Sequence, residues 1–249
     1  MKPLVSIITP VYNSAEFITS VYDSIRCQTI KNWEWLVIDD ASTDNSYAML
    51  KSFAKNDERI KIIKNSVNSG AGASRNNGLN IARGKYIAFL DADDVWMQEK
   101  LEKQLKVMND GADISFTPFC KRYLRNNSKK LLDLKAPKYL KYEQLLAKKA
   151  TFGCSTVIIR AAILNGLRMS ENRTGQDYLF WLNILRTGTS AVKLDDVLTV
   201  ITVHPNSISY NKIKKALVQW KVYRNELKFT KLQSLFYFVS YAYHALVRP

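Results

Sequence analysis

Cysteine is scarce in this chain: Cys27, Cys120 and Cys154 are three residues, widely spaced and odd in number. That pattern argues against a disulfide framework and a zinc site, and it fits reduced thiols in a cytoplasm. Nine glycines and six prolines in 249 residues exclude collagen-like or linker-dominated sequence. No apolar run reaches the roughly 18 residues needed to span a bilayer. The opening, Met1-Lys2-Pro3-Leu4-Val5-Ser6-Ile7-Ile8-Thr9-Pro10, lacks a long apolar region and a small-residue cleavage site, so no signal peptide is expected. What remains is 47% apolar and 24% charged, the balance of a globular chain and not of a disordered one. The length suits one sizeable domain with or without an appendage.

Acids are the other shortage, with 22 Asp and Glu against 37 Lys and Arg and a net charge of +15. The excess is localised. Residues 121–149 carry ten bases and two acids, residues 211–249 eight bases and one acid, and the remainder is neutral. Two basic segments on a neutral body can be a docking face for something anionic, or two solvated lysine-rich faces.

Strand-like and helix-like patterns alternate through the first half. Val5 to Thr9, Trp33 to Ile38, Ile60 to Ile63 and Tyr86 to Leu90 read as strands. Between them, Phe17 to Ile25 (with Ser14 as N-cap), Asn45 to Phe53 and Gly72 to Ala82 read as helices, and Gln98 to Met108 follows as another. Such alternation predicts a mainly parallel sheet covered on both faces, binding ligands at the carboxyl ends of its strands. The polar clusters fall at those ends: Thr9, Asp39-Asp40 and Asp91 to Asp94. Further on, Ile114 to Tyr123, Ser155 to Ile159 and Val197 to Val203 are expected strands, Arg125 to Lys130 a turn, and Tyr142 to Lys149 and Gln176 to Arg186 helices.

Asp91-Ala92-Asp93-Asp94 closes a buried strand with three acids. Two carboxylates one residue apart can share a hard divalent cation that neutralises a diphosphate, while Asp-x-Asp alone also occurs in ordinary turns. Burying a strand against three acids without a counter-charge is costly, which favours the cation. In Asp39-Asp40-Ala41-Ser42-Thr43-Asp44 a carboxylate can accept the imino N–H of a uracil, and Asp44 can cap the next helix. Tyr12 can stack on a base or simply pack. Gly70 to Gly78 opens a helix with glycines and Arg75, an arrangement suited to an anion, though no dinucleotide fingerprint or Walker motif is present.

Taken in order, Val5 to Asn13, Ser24-Ile25 with Gln28-Thr29, Val37 to Asp44, Gly70 to Gly78 and Gly84 to Trp96 closely resemble the family-2 inverting glycosyltransferases of the A-type (GT-A) fold. Phe89-Leu90-Asp91-Ala92-Asp93-Asp94-Val95-Trp96 through Leu101 is especially typical, and the resemblance covers about residues 4–205. It implies an α/β GT-A domain over 1–210, with a nucleotide-binding half (1–110) and an acceptor-binding half (111–210); it fades beyond, where the composition of 211–249 suggests a helical basic tail. It implies that Thr9, Pro10, Tyr12, Asp39 and Asp40 hold the nucleoside, Arg75 reaches the base or diphosphate, and Asp91 with Ala92 contacts the ribose or sugar. Asp93 resembles the ligand of a divalent cation, Mn or Mg. The general base of the family sits in a Glu-Asp pair opening a helix; here Gln176-Asp177 stands in that place, so Asp177 resembles the base and Gln176 departs from the usual Glu. His204, in the stretch to Ser209, resembles a loop closing over the diphosphate, as metal ligand or phosphate contact or as a structural turn residue. Trp96, Gln176, Trp181 and Phe152 to Ser155 are expected toward the acceptor, with the core as the favoured alternative for Trp181.

The expected activity is sugar transfer from a nucleoside diphosphate sugar, a UDP-hexose or UDP-N-acetylhexosamine, to a hydroxyl of a lipid-linked glycan in bacterial polysaccharide assembly. In the tail, Ile213, Leu217, Trp220 and Leu227 form an apolar stripe among lysines, followed by the aromatic stretch Leu235 to Tyr243. That composition suits either an interfacial helix on an anionic membrane, with the protein peripheral on the inner face, or a helical cover on the domain. Two other classes compete. A nucleic-acid-binding module would explain the charge but not the acidic strand ends, and none of its motifs is present, so no nucleic-acid partner is expected. A non-catalytic relative would retain the nucleotide sugar without turning it over; Gln176 favours it, and intact Asp91, Asp93 and Asp177 argue against it.

Overall fold

In β1 (Val5–Val11) Val5 and Ile7 point to one face and Ile8 to the other, and all three are buried. Apolar cover on both faces is the signature of a strand inside a parallel sheet. The computed structural model describes residues 2–204 and 212–247, the side chains of 212–215 and 245–247 excepted. β1 pairs in parallel with β2 (Trp33–Asp39) and β4 (Tyr86–Phe89), and β2 with β3 (Ile60–Lys64), so their carboxyl ends share one edge. On one face lie α1 (Ile18–Arg26), α2 (Ser46–Asn56) and α4 (Lys100–Asn109), over Trp33, Trp35 and Val37. On the other lie α3 (Ala71–Ile81), α5 (Tyr142–Leu146) and α6 (Gln176–Leu185), over Ile8, Ile38 and Phe89. At Gly78 a Cβ would come within 2.5 Å of Ile8 Cγ2, so α3 can lie this close to β1 only with glycine there.

Beyond β4 the sheet becomes mixed. β10 (Val157–Arg160) runs antiparallel between β4 and β6 (Ile114–Phe116), and β11 (Ala191–Lys193) and β9 (Tyr139–Leu140) complete an eight-stranded sheet. The expectation of a mainly parallel sheet therefore holds for the first half of the chain alone. A second sheet orders β5 (Val95–Trp96), β12 (Thr199–Val203), β7 (Phe119–Tyr123) and β8 (Ser128–Leu132).

Several local expectations shift for identifiable reasons. The single strand over Ile114 to Tyr123 is two, because Thr117-Pro118 interrupts it and the halves enter different sheets. The expected turn at Arg125 to Lys130 is shorter, closing at Asn127 (φ 50°) before β8 begins. Ser14 meets α1 through its main chain: its carbonyl accepts the N–H groups of Phe17 and Ile18, and its side chain caps nothing. The helix expected to Lys149 ends at Leu146, with Lys148 at φ 56°.

The C-terminal segment forms α7 (Lys212–Lys221), a π-turn over Val222–Glu226 and α8 (Lys231–Val247). Tyr223 is fully buried and its hydroxyl donates to the Leu146 carbonyl at 2.8 Å, while Ser240 donates to that of Ala147 at 3.0 Å. One side of the segment is thus a cover packed on the domain.

Candidate active site

The strand-end residues behave differently from one another. Asp39 ends β2 with no exposed surface; its Oδ2 accepts the Ser42 N–H at 3.3 Å, and its Oδ1 has no partner. Asp40 is saturated: Oδ1 accepts from Asn65 Nδ2 (2.7 Å) and the Ser69 N–H (3.0 Å), and Oδ2 from the Gly70 N–H (2.7 Å). Burial alone would raise the pKa of Asp40, but donation from Ser69, Asn65 and Gly70 brings it below the ordinary value. Asp40 therefore ties down the loop that leads into α3. Thr9 is buried and its hydroxyl accepts the Trp35 indole N–H at 2.8 Å, whereas Tyr12 is half exposed and Pro10 partly so.

The residues after β4 form the most highly charged part of the site. Arg75, buried on α3, places Nη2 2.5 Å from Asp91 Oδ1. Ser155 receives the Asp91 N–H at 3.1 Å and donates to Asp94 Oδ2 at 2.6 Å, and Asp94 Oδ1 accepts the Thr202 N–H at 3.0 Å. Asp94 is thus a buried strut between β4 and β12. Burial first, then the charges of Asp91 and Asp93, push its carboxyl well above the usual range. Asp93 faces His204 at the end of β12, with Nε2 2.9 Å from Oδ2, and the His204 ring stands edge-on to Phe17 at 4.9 Å. Burial and the charge of Asp91 also raise the Asp93 carboxyl, against the pull of His204.

Asp177 lies in the first turn of α6, where the helix dipole favours an acid, and its Oδ1 accepts the Tyr178 N–H at 2.8 Å. Its charge acts on Arg75 and on buried Cys154, so Asp177 belongs to the same electrostatic cluster as Asp91. Gln176 abuts the start of α3, and its buried Oε1 has no hydrogen-bond partner. Ala92 is buried. Trp96, expected toward the acceptor, is instead inside, its indole N–H on the Ser155 carbonyl at 2.8 Å. Trp181 is in the core, its favoured alternative, against Phe89, Phe152 and Phe180. The stretch Pro205 to Ser209, and with it most of the expected closing loop, lies outside the described residues, as does the side chain of Ile213.

Among the described residues no three His, Cys, Asp or Glu side chains form a ready-made metal cage. The donor set does fit a cation of another kind. Asp93 and His204 offer one carboxylate oxygen and one imidazole nitrogen side by side, in an acidic cluster where Arg75 is already engaged by Asp91. Mg or Mn bound to a substrate diphosphate commonly takes one or two protein ligands and completes its shell with phosphate oxygens and water. Sequence reasoning missed Ser155 as the hub joining Asp91, Asp94 and Trp96; a serine in a Gly-Cys-Ser stretch carries no periodic or motif signal of that role. Two large cavities, of about 500 and 540 Å³, lie beside the C-terminal segment and not over the acid cluster.

The half-parallel sheet with acids at its strand ends fits the α/β A-type fold that the resemblance implies. A family model described as glycosyl transferase family 2 matches residues 6–167, and the chain belongs to that family. It is 38% identical over 248 residues to Bacillus subtilis (strain 168) TuaG, whose name assigns it provisionally to teichuronic acid biosynthesis; the match covers 98% of this chain and 97% of that one. It is 36% identical over 239 residues to Escherichia coli WfgD, named as a UDP-Glc:alpha-D-GlcNAc-diphosphoundecaprenol beta-1,3-glucosyltransferase, covering 96% and 92%. Among solved structures, Staphylococcus aureus TarS 1–349 in complex with UDP superposes with a TM-score of 0.68 at 21% identity, over 92% of this chain and 73% of that one. The mannosyltransferase PcManGT from Pyrobaculum calidifontis, in complex with GDP-Man and Mn2+, gives 0.75 at 19% identity, over 99% and 76%. At those identities the structures establish the fold.

Proposed function

We propose that the chain is a metal-dependent, inverting hexosyltransferase that uses a UDP-hexose or UDP-N-acetylhexosamine and a lipid-linked glycan acceptor. The observation that carries this reading is the acid cluster after β4: Asp93 paired with His204, and Asp91 held by Arg75, in the electrostatic reach of Asp177. Asp39, whose Oδ1 is buried and unpartnered, is the residue assigned to a uracil imino N–H, with the exposed ring of Tyr12 to stack on the base. The names of WfgD and of the UDP complex of TarS support a uridine donor, and that of WfgD a diphosphate-lipid acceptor.

In the proposed reaction Asp177 takes the proton of the acceptor hydroxyl as that oxygen attacks the anomeric carbon. The new C–O bond forms on the face opposite the departing nucleoside diphosphate, so the configuration inverts. Arg75 holds Asp91 in place toward the sugar or ribose. A divalent cation, Mn or Mg, held by Asp93 and His204, supplies positive charge to the diphosphate. Residues 1–210 are the catalytic domain in this reading and 211–249 its basic extension. Among the described residues no helix is long and apolar enough to cross a membrane. The basic extension supports a peripheral place on the inner face of the cell membrane.

Calorimetric titration of UDP and GDP, each with Mn and with EDTA, tests the donor site. Metal-dependent UDP binding is expected; binding of neither nucleotide overturns the reading. The anomeric configuration of the product, read by NMR, tests inversion.

A further inference from the structure

α8 leaves large apolar side chains uncovered. Leu232 is 80% exposed and Phe236 70%, and Leu235, Val239 and Tyr243 continue the same helical face at more than half exposure. A contiguous exposed apolar stripe of this kind marks an interaction or ligand-binding surface. Leu232 and Phe236 form one side of a cavity of about 500 Å³, whose other walls are Tyr142, Leu146, Phe229 and Tyr237, with Glu143 and Gln233 as its polar members. The groove thus runs between α5, from the first basic segment, and α8, from the second. Lys141, Lys149 and Lys231, all exposed, flank these wall residues in sequence, as does Lys228, which lines the neighbouring cavity together with Glu226; Glu143 is the one acid in the groove wall itself.

The groove shares α5 with the anchor of α6. Tyr178, which follows Asp177, donates its hydroxyl toward the carbonyls of Leu145 and Leu146 at 3.3 and 3.5 Å. α5 therefore serves both places, anchoring the first turn of α6 through its carbonyls and lining the groove with Leu146.

We propose that the α5–α8 groove binds the aliphatic chain of a polyprenyl diphosphate, the lipid of the acceptor, with the flanking lysines meeting its anionic head. The apolar wall matches the chain and the excess of cations matches the diphosphate; this assignment rests on the reading that the acceptor is lipid-linked.

The test is a calorimetric titration of the full chain, with saturating UDP and Mn, by farnesyl diphosphate and by inorganic diphosphate. The variants Leu232→Gln and Phe236→Gln, changed at exposed positions, are titrated in parallel. Farnesyl diphosphate should bind in the presence of UDP and about tenfold or more tighter than inorganic diphosphate, and each variant should lose about tenfold, as removal of one buried apolar side chain implies. UDP affinity and melting temperature should not change in the variants. Equal affinity for the two diphosphates, displacement of farnesyl diphosphate by UDP, or undiminished binding in both variants would each overturn the assignment. So would binding of phosphatidylglycerol vesicles with none of farnesyl diphosphate, which would make α8 a bilayer contact. Because no transfer is measured and UDP binding is read separately, failure here is distinct from failure of the donor-site reading.

Discussion

Gly72 and Gln176 meet where two helices begin. A Cβ on Gly72 would stand 3.2 Å from Cγ of Gln176 and 2.6 Å from the carbonyl oxygen of Ser170. The missing side chain lets the start of α3, which carries Arg75, lie against the start of α6, which carries Asp177. The proposed nucleotide-binding half (1–110) and acceptor-binding half (111–210) touch at this point.

Gly72→Ala should push those two helix ends apart. Overpacking of this kind costs about 1–3 kcal/mol of stability. A displacement of about 1 Å between Arg75 and Asp177 is expected to lower kcat about 100-fold. UDP titration and steady-state kinetics together check this: affinity for UDP should stay near wild type while turnover falls.

Asp177→Asn removes the proposed base and keeps the shape of the first turn of α6. Transfer should fall by about 100- to 10,000-fold, the range for a lost general base, with UDP binding retained. Equal loss of binding and transfer would remove Asp177 from that role.

Asp39 and Asp40 should separate by readout. Asp40→Asn turns an amide toward the N–H groups of Ser69 or Gly70 and should cost about 1–3 kcal/mol in thermal unfolding. The folded pKa of Asp40 is depressed, so its contribution is present above its ordinary pKa and is lost as pH falls through the folded value; the variant should flatten the acid limb of the stability profile. Asp39→Asn should weaken UDP binding about tenfold or more, since a charged hydrogen bond contributes about 1.5–3 kcal/mol, and should erase any preference for UDP over GDP.

Cation binding should depend on pH through Asp93. Burial and the charge of Asp91 hold its proton to a higher pH than an ordinary aspartate would. A metal must displace that proton, so Mn affinity in the presence of UDP should rise with pH through the raised value and level off above it. Asp93→Ala should abolish the EDTA-sensitive part of UDP binding, as read by calorimetry.

Much of the first half was legible because its signals are local. The runs Trp33 to Ile38 and Tyr86 to Leu90 are apolar and end in acids, and strands β2 and β4 follow those runs closely. The second half was less legible. β9 and β11 are two and three residues long, too short to show a period, and β8 is a lysine-rich strand whose Lys129 and Lys130 stand opposite Arg122 and Lys121. Like charges facing across a hairpin run against pairing preference, so residue type pointed to a turn.

The sequence by itself determined the alternation of elements and the acids at the strand ends, which rest on residues close together in the chain, and the family, which rests on the order of such local motifs. Tertiary structure alone decided which of Asp39 and Asp40 keeps an unpartnered oxygen, because the donors to Asp40 arrive from Asn65, Ser69 and Gly70 on another loop. It placed His204 on Asp93 across 111 residues and drew Trp96 inward onto Ser155. It also joined the two basic segments at α5 and α8, where Ser240 bonds Ala147 and Tyr223 bonds Leu146. Local periodicity reports which face of an element is apolar; which distant element covers that face is settled only when the whole core packs at once.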